Sequence, residues 1–118
     1  MLTLVRYGLS GLEALVTHTL TGRGFTQQSA QATRGWSDEE WAAAVVGLTD
    51  RGLLADGALT ADGVALRTAV EQETDELSAA PFVHLGLERT ERVAELAGGL
   101  TGRLLANGAY PAGVFAAR

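Results

Sequence analysis

Residues 36–66 read WSDEEWAAAVVGLTDRGLLADGALTADGVAL, and they decide the fold. Ser37 followed by Glu40 makes a capping box. The serine hydroxyl accepts from the third helical N–H, and the glutamate accepts from the serine's own N–H. Asp38, Glu39 and Glu40 suit the positive end of a helix dipole. Trp41, Ala44, Val45 and Leu48 then share one face, so the spacing predicts a helix over 37–52 with Gly52 as its left-handed exit. In the run that follows, Asp56-Gly57 lies between short apolar pieces, a strong signal for a two-residue hairpin turn. Strands of about two or three residues do not hold a sheet alone, so this hairpin has to lie on helices. Thr60 caps a further helix over 61–79, whose apolar positions include Val64, Leu66, Val70 and Leu77, and Pro81 reads as its stop. Gly63 lets that helix approach the hairpin closely.

Upstream, Ser10 and Glu13 form a second capping box and open a helix over 10–21. Leu9, Leu12, Leu15, Val16, Thr19 and Leu20 lie on its inner face, which leaves His18 on the outer one. A short helix over 25–34 is capped by Thr26 and stopped by Gly35. Downstream, Leu87, Val93, Leu96, Leu100 and Leu104 mark a last helix over 87–106, ended by Asn107-Gly108. Residues 109–118 read as an irregular tail.

The whole chain has 118 residues, enough for one core and too few for two. A hydrophobic share of 47% against 19% charged argues for a folded chain and against disorder. There is no Cys, which excludes disulfides and thiolate chemistry. No apolar run is long enough for a bilayer span, and residues 1–7 are too short for a signal peptide. A cytoplasmic protein is the expectation. All nine basic residues are Arg, a pattern of GC-rich coding. The net charge of −5 is unevenly spread: residues 37–79 hold ten carboxylates against Arg51 and Arg67, while both flanking regions are net positive.

Three helices, a small hairpin and a further helix make the element order of a winged helix-turn-helix domain. FTQQSAQATRGWSDEEWAAAVVGLTDRGLL (25–54) ends in a (D/E)-R-G-L-(L/V) run, and LADGALTADGVAL (54–66) carries an L-T-x-x-G-x-x-L pattern. On these residues the chain resembles the MarR-type regulators. With TDELSAAPF (74–82) and LGLERTERVAEL (85–96), it resembles more narrowly a little-characterised actinobacterial MarR-like family, over roughly residues 8–106. Members of that family are longer, with a helical half before this part. The chain then corresponds to a short member or to the C-terminal half.

The resemblance implies a mainly α fold with a minimal two-stranded wing, as a single winged-helix domain over 1–118. It also implies a transcription-regulator role, with the helix over 37–52 entering the major groove of duplex DNA. The residues complicate that role. The outward side chains of this helix are Glu39, Ala43, Val46, Gly47 and Asp50, and carboxylates near phosphates cost both affinity and association rate. The wing tip Ala55-Asp56-Gly57-Ala58 offers no Arg. Candidate DNA contacts are Arg23, Gln27, Gln28, Arg34 and Arg51. Two functional readings therefore stand: a regulator domain that binds DNA weakly or with help, and a winged scaffold that has lost DNA reading and binds a ligand or a protein.

In MarR-like proteins the terminal helices form the dimer interface. Ala94, Gly98, Gly102 and Ala106, four residues apart, are small enough for close helix pairing, so a homodimer through 87–106 is expected. The resemblance also implies a small aromatic effector, for which Trp36, Phe82, His84 and Tyr110 are the candidate pocket. His18 and His84 have no second ligand at metal spacing. No nucleophile or phosphate-loop motif is present. The expectation is no enzyme, no cofactor and no metal.

Overall fold

The computed structural model describes residues 2–116. Its elements in chain order are α1 (Leu2–Arg6), α2 (Gly11–Thr19), α3 (Gln27–Arg34), α4 (Asp38–Asp50), β1 (Leu54–Ala55), β2 (Ala58–Leu59), α5 (Ala61–Leu85) and α6 (Leu87–Ala106). This is a winged helix-turn-helix, mainly helical with one two-stranded antiparallel sheet.

The local signals act as read. Ser10 and Ser37 each close a reciprocal capping box, with Glu13 and Glu40 respectively. Thr26 and Thr60 cap α3 and α5 through their hydroxyls. Leu54 pairs with Leu59 and Ala55 with Ala58. That leaves Asp56 (φ 50°) and Gly57 (φ 75°) as the two-residue turn, both left-handed as a type I′ turn requires. Gly63 carries the tightest approach: a Cβ there would sit 2.2 Å from the Leu53 carbonyl oxygen, so no other residue fits without a shift.

The core lies among α2, α3, α4, the wing and the first half of α5. Leu9, Leu12, Val16, Ala30, Trp41, Leu48, Leu53, Leu54 and Val70 are buried together. Thr17 is buried with them and spends its hydroxyl on the Glu13 carbonyl oxygen (2.8 Å). α1, a helix not anticipated from the sequence, places Leu4 against this core and pairs Arg6 with Glu73 of α5 (2.9 Å).

Two expectations need correction. α5 does not stop at Pro81 but runs on to Leu85 and ends at Gly86, whose φ is 85°. Proline removes one N–H and crowds the preceding turn; this stretch is solvent-exposed, so water can satisfy the freed carbonyl. His18 is not an outer-face residue but half-buried, because α5 packs over that side of α2 and Gly24 folds back against its ring.

Among the described residues beyond Val70 none is buried, and α6 has no buried residue. The described chain has a radius of gyration of 16.6 Å, against about 13.5 Å for a compact chain of this length. The excess comes from the second half of α5 and α6, which project as an arm. The tail after α6 is irregular but anchored. The Thr26 N–H donates to the Val114 carbonyl (3.0 Å), and the Ala116 N–H donates to the Gly24 carbonyl (2.9 Å). Phe115 stacks on Phe25 with ring centres 5.3 Å apart, and Tyr110 meets Phe115 edge-on at 5.1 Å.

Candidate nucleic-acid interface

α3, the turn at Gly35–Trp36 and α4 form the helix-turn-helix. Gly35 makes the turn with φ 73°. Trp41 and Leu48 anchor α4 inward. Its outer face then carries Glu39, Ala43, Val46 and Asp50, all exposed, with Gly47 half-buried. Val46 is 59% exposed, an apolar side chain that no other part of the described chain covers.

The carboxylates of the first turn differ in engagement. Glu40 accepts from the Ser37 N–H (2.9 Å) and Asp38 accepts from the Gln31 amide (3.0 Å). Glu40 is held in the α4 cap and Asp38 ties α4 to α3, and both keep their charge. No hydrogen bond holds Glu39 among the described residues.

The candidate DNA-contacting residues fall into two sets. Arg23, in the loop before α3, and Arg34, in its last turn, are exposed and form no ion pair among the described residues. Gln28, in the first turn of α3, is exposed too, and Gln27 donates to Gln31 (3.0 Å). Arg51 is placed differently. Its guanidinium donates to the Gly8 carbonyl (3.0 Å), the Tyr7 carbonyl (3.4 Å) and Glu13 (3.0 Å). It clamps the end of α4 to the turn between α1 and α2. Burial works to raise the Glu13 carboxyl pKa, but hydrogen bonds from Ser10 and the charge of Arg51 outweigh it and hold the group below its ordinary value. The wing tip carries no cation, as the sequence indicates.

The four residues expected to share an aromatic pocket are not brought together. Trp36 faces a cavity between α1, α2 and α5, and Phe82 lies in one at the α5–α6 corner. Tyr110 borders a third, between α6 and the loop at 22–24, while His84 lines none of these. The continuity of α5 through Pro81 is the cause, since it carries Phe82 and His84 out along the arm. Ala94, Gly98, Gly102 and Ala106 are all exposed on α6. Val93, Leu96, Leu100 and Leu104 on the same helix are exposed too, at 41–56%. These larger side chains offer more apolar surface than the small-residue stripe.

A family model described as a helix-turn-helix family matches residues 1–111. The chain belongs to that helix-turn-helix family. The match takes in α1 and the arm as well as the winged core. Membership in a helix-turn-helix family points to a DNA-binding domain of regulator type. No curated protein and no solved structure matches the chain. Within this helix-turn-helix domain no helix among the described residues is long and apolar enough to cross a membrane. No group of three His, Cys, Asp or Glu side chains is placed to hold a metal ion among them.

Sequence reasoning passed over one residue that the structure makes conspicuous. Arg67 of α5 is only 7% exposed. Gly63, Arg67 and Val70 are the buried residues of α5, on the face turned to the core. A charged residue inside an apolar helical stripe was the available signal.

Proposed function

We propose that this chain is a MarR-like transcription-regulator domain. It binds duplex DNA through α3 and α4, weakly as a single copy and more firmly as a homodimer paired through α6. The observation that carries the reading is the outer face of α4. It is anchored inward by Trp41 and Leu48 and left uncovered, and α3 beside it is bracketed by the exposed guanidinium groups of Arg23, before its first turn, and Arg34, in its last. These two cations supply phosphate attraction, which Asp38, Glu39 and Glu40 oppose. Doubling the site across a two-fold axis doubles the cationic contacts, and the bare leucine face of α6 is the surface best suited to that pairing.

The test is fluorescence anisotropy of random-sequence duplex DNA, titrated from low to physiological salt. Non-specific affinity reports phosphate contacts and needs no operator. Binding near the weak end of the usual ~10⁻⁴–10⁻⁶ M range, with a clear salt slope, supports the reading. Absence of binding even at low salt overturns it. The second reading, a ligand- or protein-binding scaffold, then takes over, favoured by the exposed Val46 and the cation-free wing tip.

A further inference from the structure

The end of α6 does not hang free. Gly108 (φ 70°) closes the helix in a left-handed turn. Its N–H donates to the Leu105 carbonyl (3.2 Å), and the Ala109 N–H donates to the Leu104 carbonyl (3.0 Å). This pair of bonds is a Schellman closure, which fixes the direction in which the chain leaves a helix. Asn107 adds a side-chain bond to the Arg103 carbonyl (2.8 Å). The chain then turns back toward the loop before α3, with a second left-handed glycine at Gly113 (φ 80°).

At its far end the tail grips the entrance of α3 through Thr26 and its neighbours. Thr26 is the α3 N-cap, and its hydroxyl accepts from the Ser29 N–H (3.3 Å). The same hydroxyl donates to the Gly113 carbonyl (2.9 Å), and the Thr26 N–H donates to the Val114 carbonyl (3.0 Å). Phe25 and Phe115 form an antiparallel bridge beside it, closed by the Ala116 N–H on the Gly24 carbonyl (2.9 Å). The Phe25 and Phe115 rings stack, with Tyr110 edge-on. Between the docked tail, α6 and the loop lies a cavity bordered by Arg23, Thr101, Leu105, Tyr110 and Phe115. Arg23 therefore shares its surroundings with both the tail and α6. The three rings remain 38–42% exposed, and a contact with so little buried area opens at low cost compared with the core.

We propose that residues 109–116 are a strap that couples α6 to α3. Docked, the strap holds the first turn of α3 and Arg23 in one position relative to α6. Released, it frees both helix ends while α2, α4 and the wing stay folded. Phe115 is its positioning residue, acting on α3 through Phe25 and Thr26. The coupling is reciprocal. Whatever fixes the end of α6 favours the docked strap and an ordered entrance to α3, and whatever fixes α3 steadies the end of α6. The effect of the strap on DNA rests on the DNA-binding reading. There it lets pairing through α6 sharpen the phosphate contact of Arg23.

The experiment is amide hydrogen exchange, followed by NMR on the full chain, in wild type, Phe115→Ala and Phe115→Tyr. Phe115 lies at the surface, so both variants are expected to fold. In Phe115→Ala the amides of Ser29 and Ala30 in α3, and of Asn107 and Ala109 at the end of α6, are expected to exchange at least about tenfold faster, with Trp41 and Leu53 unchanged. Phe115→Tyr keeps the ring and is expected to restore protection. Faster exchange confined to Thr26 and Ala116, or spread evenly over the core, overturns the proposal. Duplex DNA gives the second readout. With Arg23 positioned by the strap, Phe115→Ala is expected to lower the salt slope by about one for each bound copy, which lost stability alone would not do. An unchanged slope beside loosened helix ends overturns the positioning of Arg23. If wild type binds no DNA, the DNA-binding reading fails and the exchange pattern alone decides the strap.

Discussion

The winged core and the α5–α6 arm are built from similar helices yet differ in what covers them. α4 is short, doubly capped by Ser37 and Glu40, and buries Trp41 and Leu48. α6 is longer, starts at Gly86 with no side-chain cap, and buries nothing. Helices gain most of their stability from packing an apolar face. α4 has that packing within one chain, whereas the apolar face of α6 stays about half exposed within the described chain. A core that closes on itself beside an arm that does not is what the proposed pairing through α6 would use.

The sharpest way to break the comparison is to truncate one leucine on each side. Leu48 is fully buried, so Leu48→Ala should cost about 2–5 kcal/mol in urea unfolding. Leu96→Ala should leave the stability of the dilute single chain nearly unchanged and shift sedimentation toward the monomer. Equal destabilisation by both, independent of protein concentration, would mean that the arm packs on its own core. Gly98→Leu separates the two faces of α6: unchanged sedimentation and stability would remove the small-residue stripe as a contact and leave the leucine face.

Within the core, Gly63→Ala comes next. The new methyl would have to displace the Leu53 carbonyl, and overpacking of this kind costs about 1–3 kcal/mol. Thermal unfolding reads the loss, and a neutral result would show that the wing root is loose. Ser37→Ala should cost about 1 kcal/mol by removing the α4 cap. No equivalent loss is available in α6, where no side chain caps the first turn.

The smallest effect concerns pH. Glu13 titrates below its ordinary value of 4.5 in the folded chain. The unfolded state therefore binds a proton first as pH falls, and the stabilisation present above about 4.5 is lost through the lower folded value. His18 is depressed below 6.5, so the unfolded state again binds the proton first, and stability declines as pH falls below that point. Glu13→Gln should flatten the acid limb of the stability curve and His18→Gln the limb near neutrality. If both variants retain the wild-type profile, the Arg51 clamp and the His18 contacts are not what couples folding to protons.

How much of this was legible in the sequence follows the same division. In the core, local signals agreed with the packing except at His18, which α5 covers, and at α1, which the sequence did not announce. Both capping boxes, the Asp56-Gly57 turn and the close approach at Gly63 were readable because each rests on backbone geometry a few residues long. In the arm, local and global signals parted. Pro81 is a valid breaker by itself, but it sits where solvent replaces the lost hydrogen bond, and α5 passes through it. The proposed aromatic pocket failed for the same reason, since Phe82 and His84 travel outward with that continuous helix. The Arg51 clamp and the docking of Phe115 on Phe25 join residues far apart in sequence, which periodicity does not reveal. Arg67 stood within an apolar stripe, and that mismatch was the one long-range clue the sequence carried.

The most direct test of the DNA-binding account is the salt slope of duplex binding in wild type and in the Arg23→Ala/Arg34→Ala variant. Each phosphate contact contributes roughly 0.9 to the slope of log affinity against log salt. The account predicts a slope lower by about two for each bound copy in the double variant, with weaker affinity at every salt concentration. An unchanged slope and affinity would contradict it, since these guanidinium groups would then not meet the phosphates.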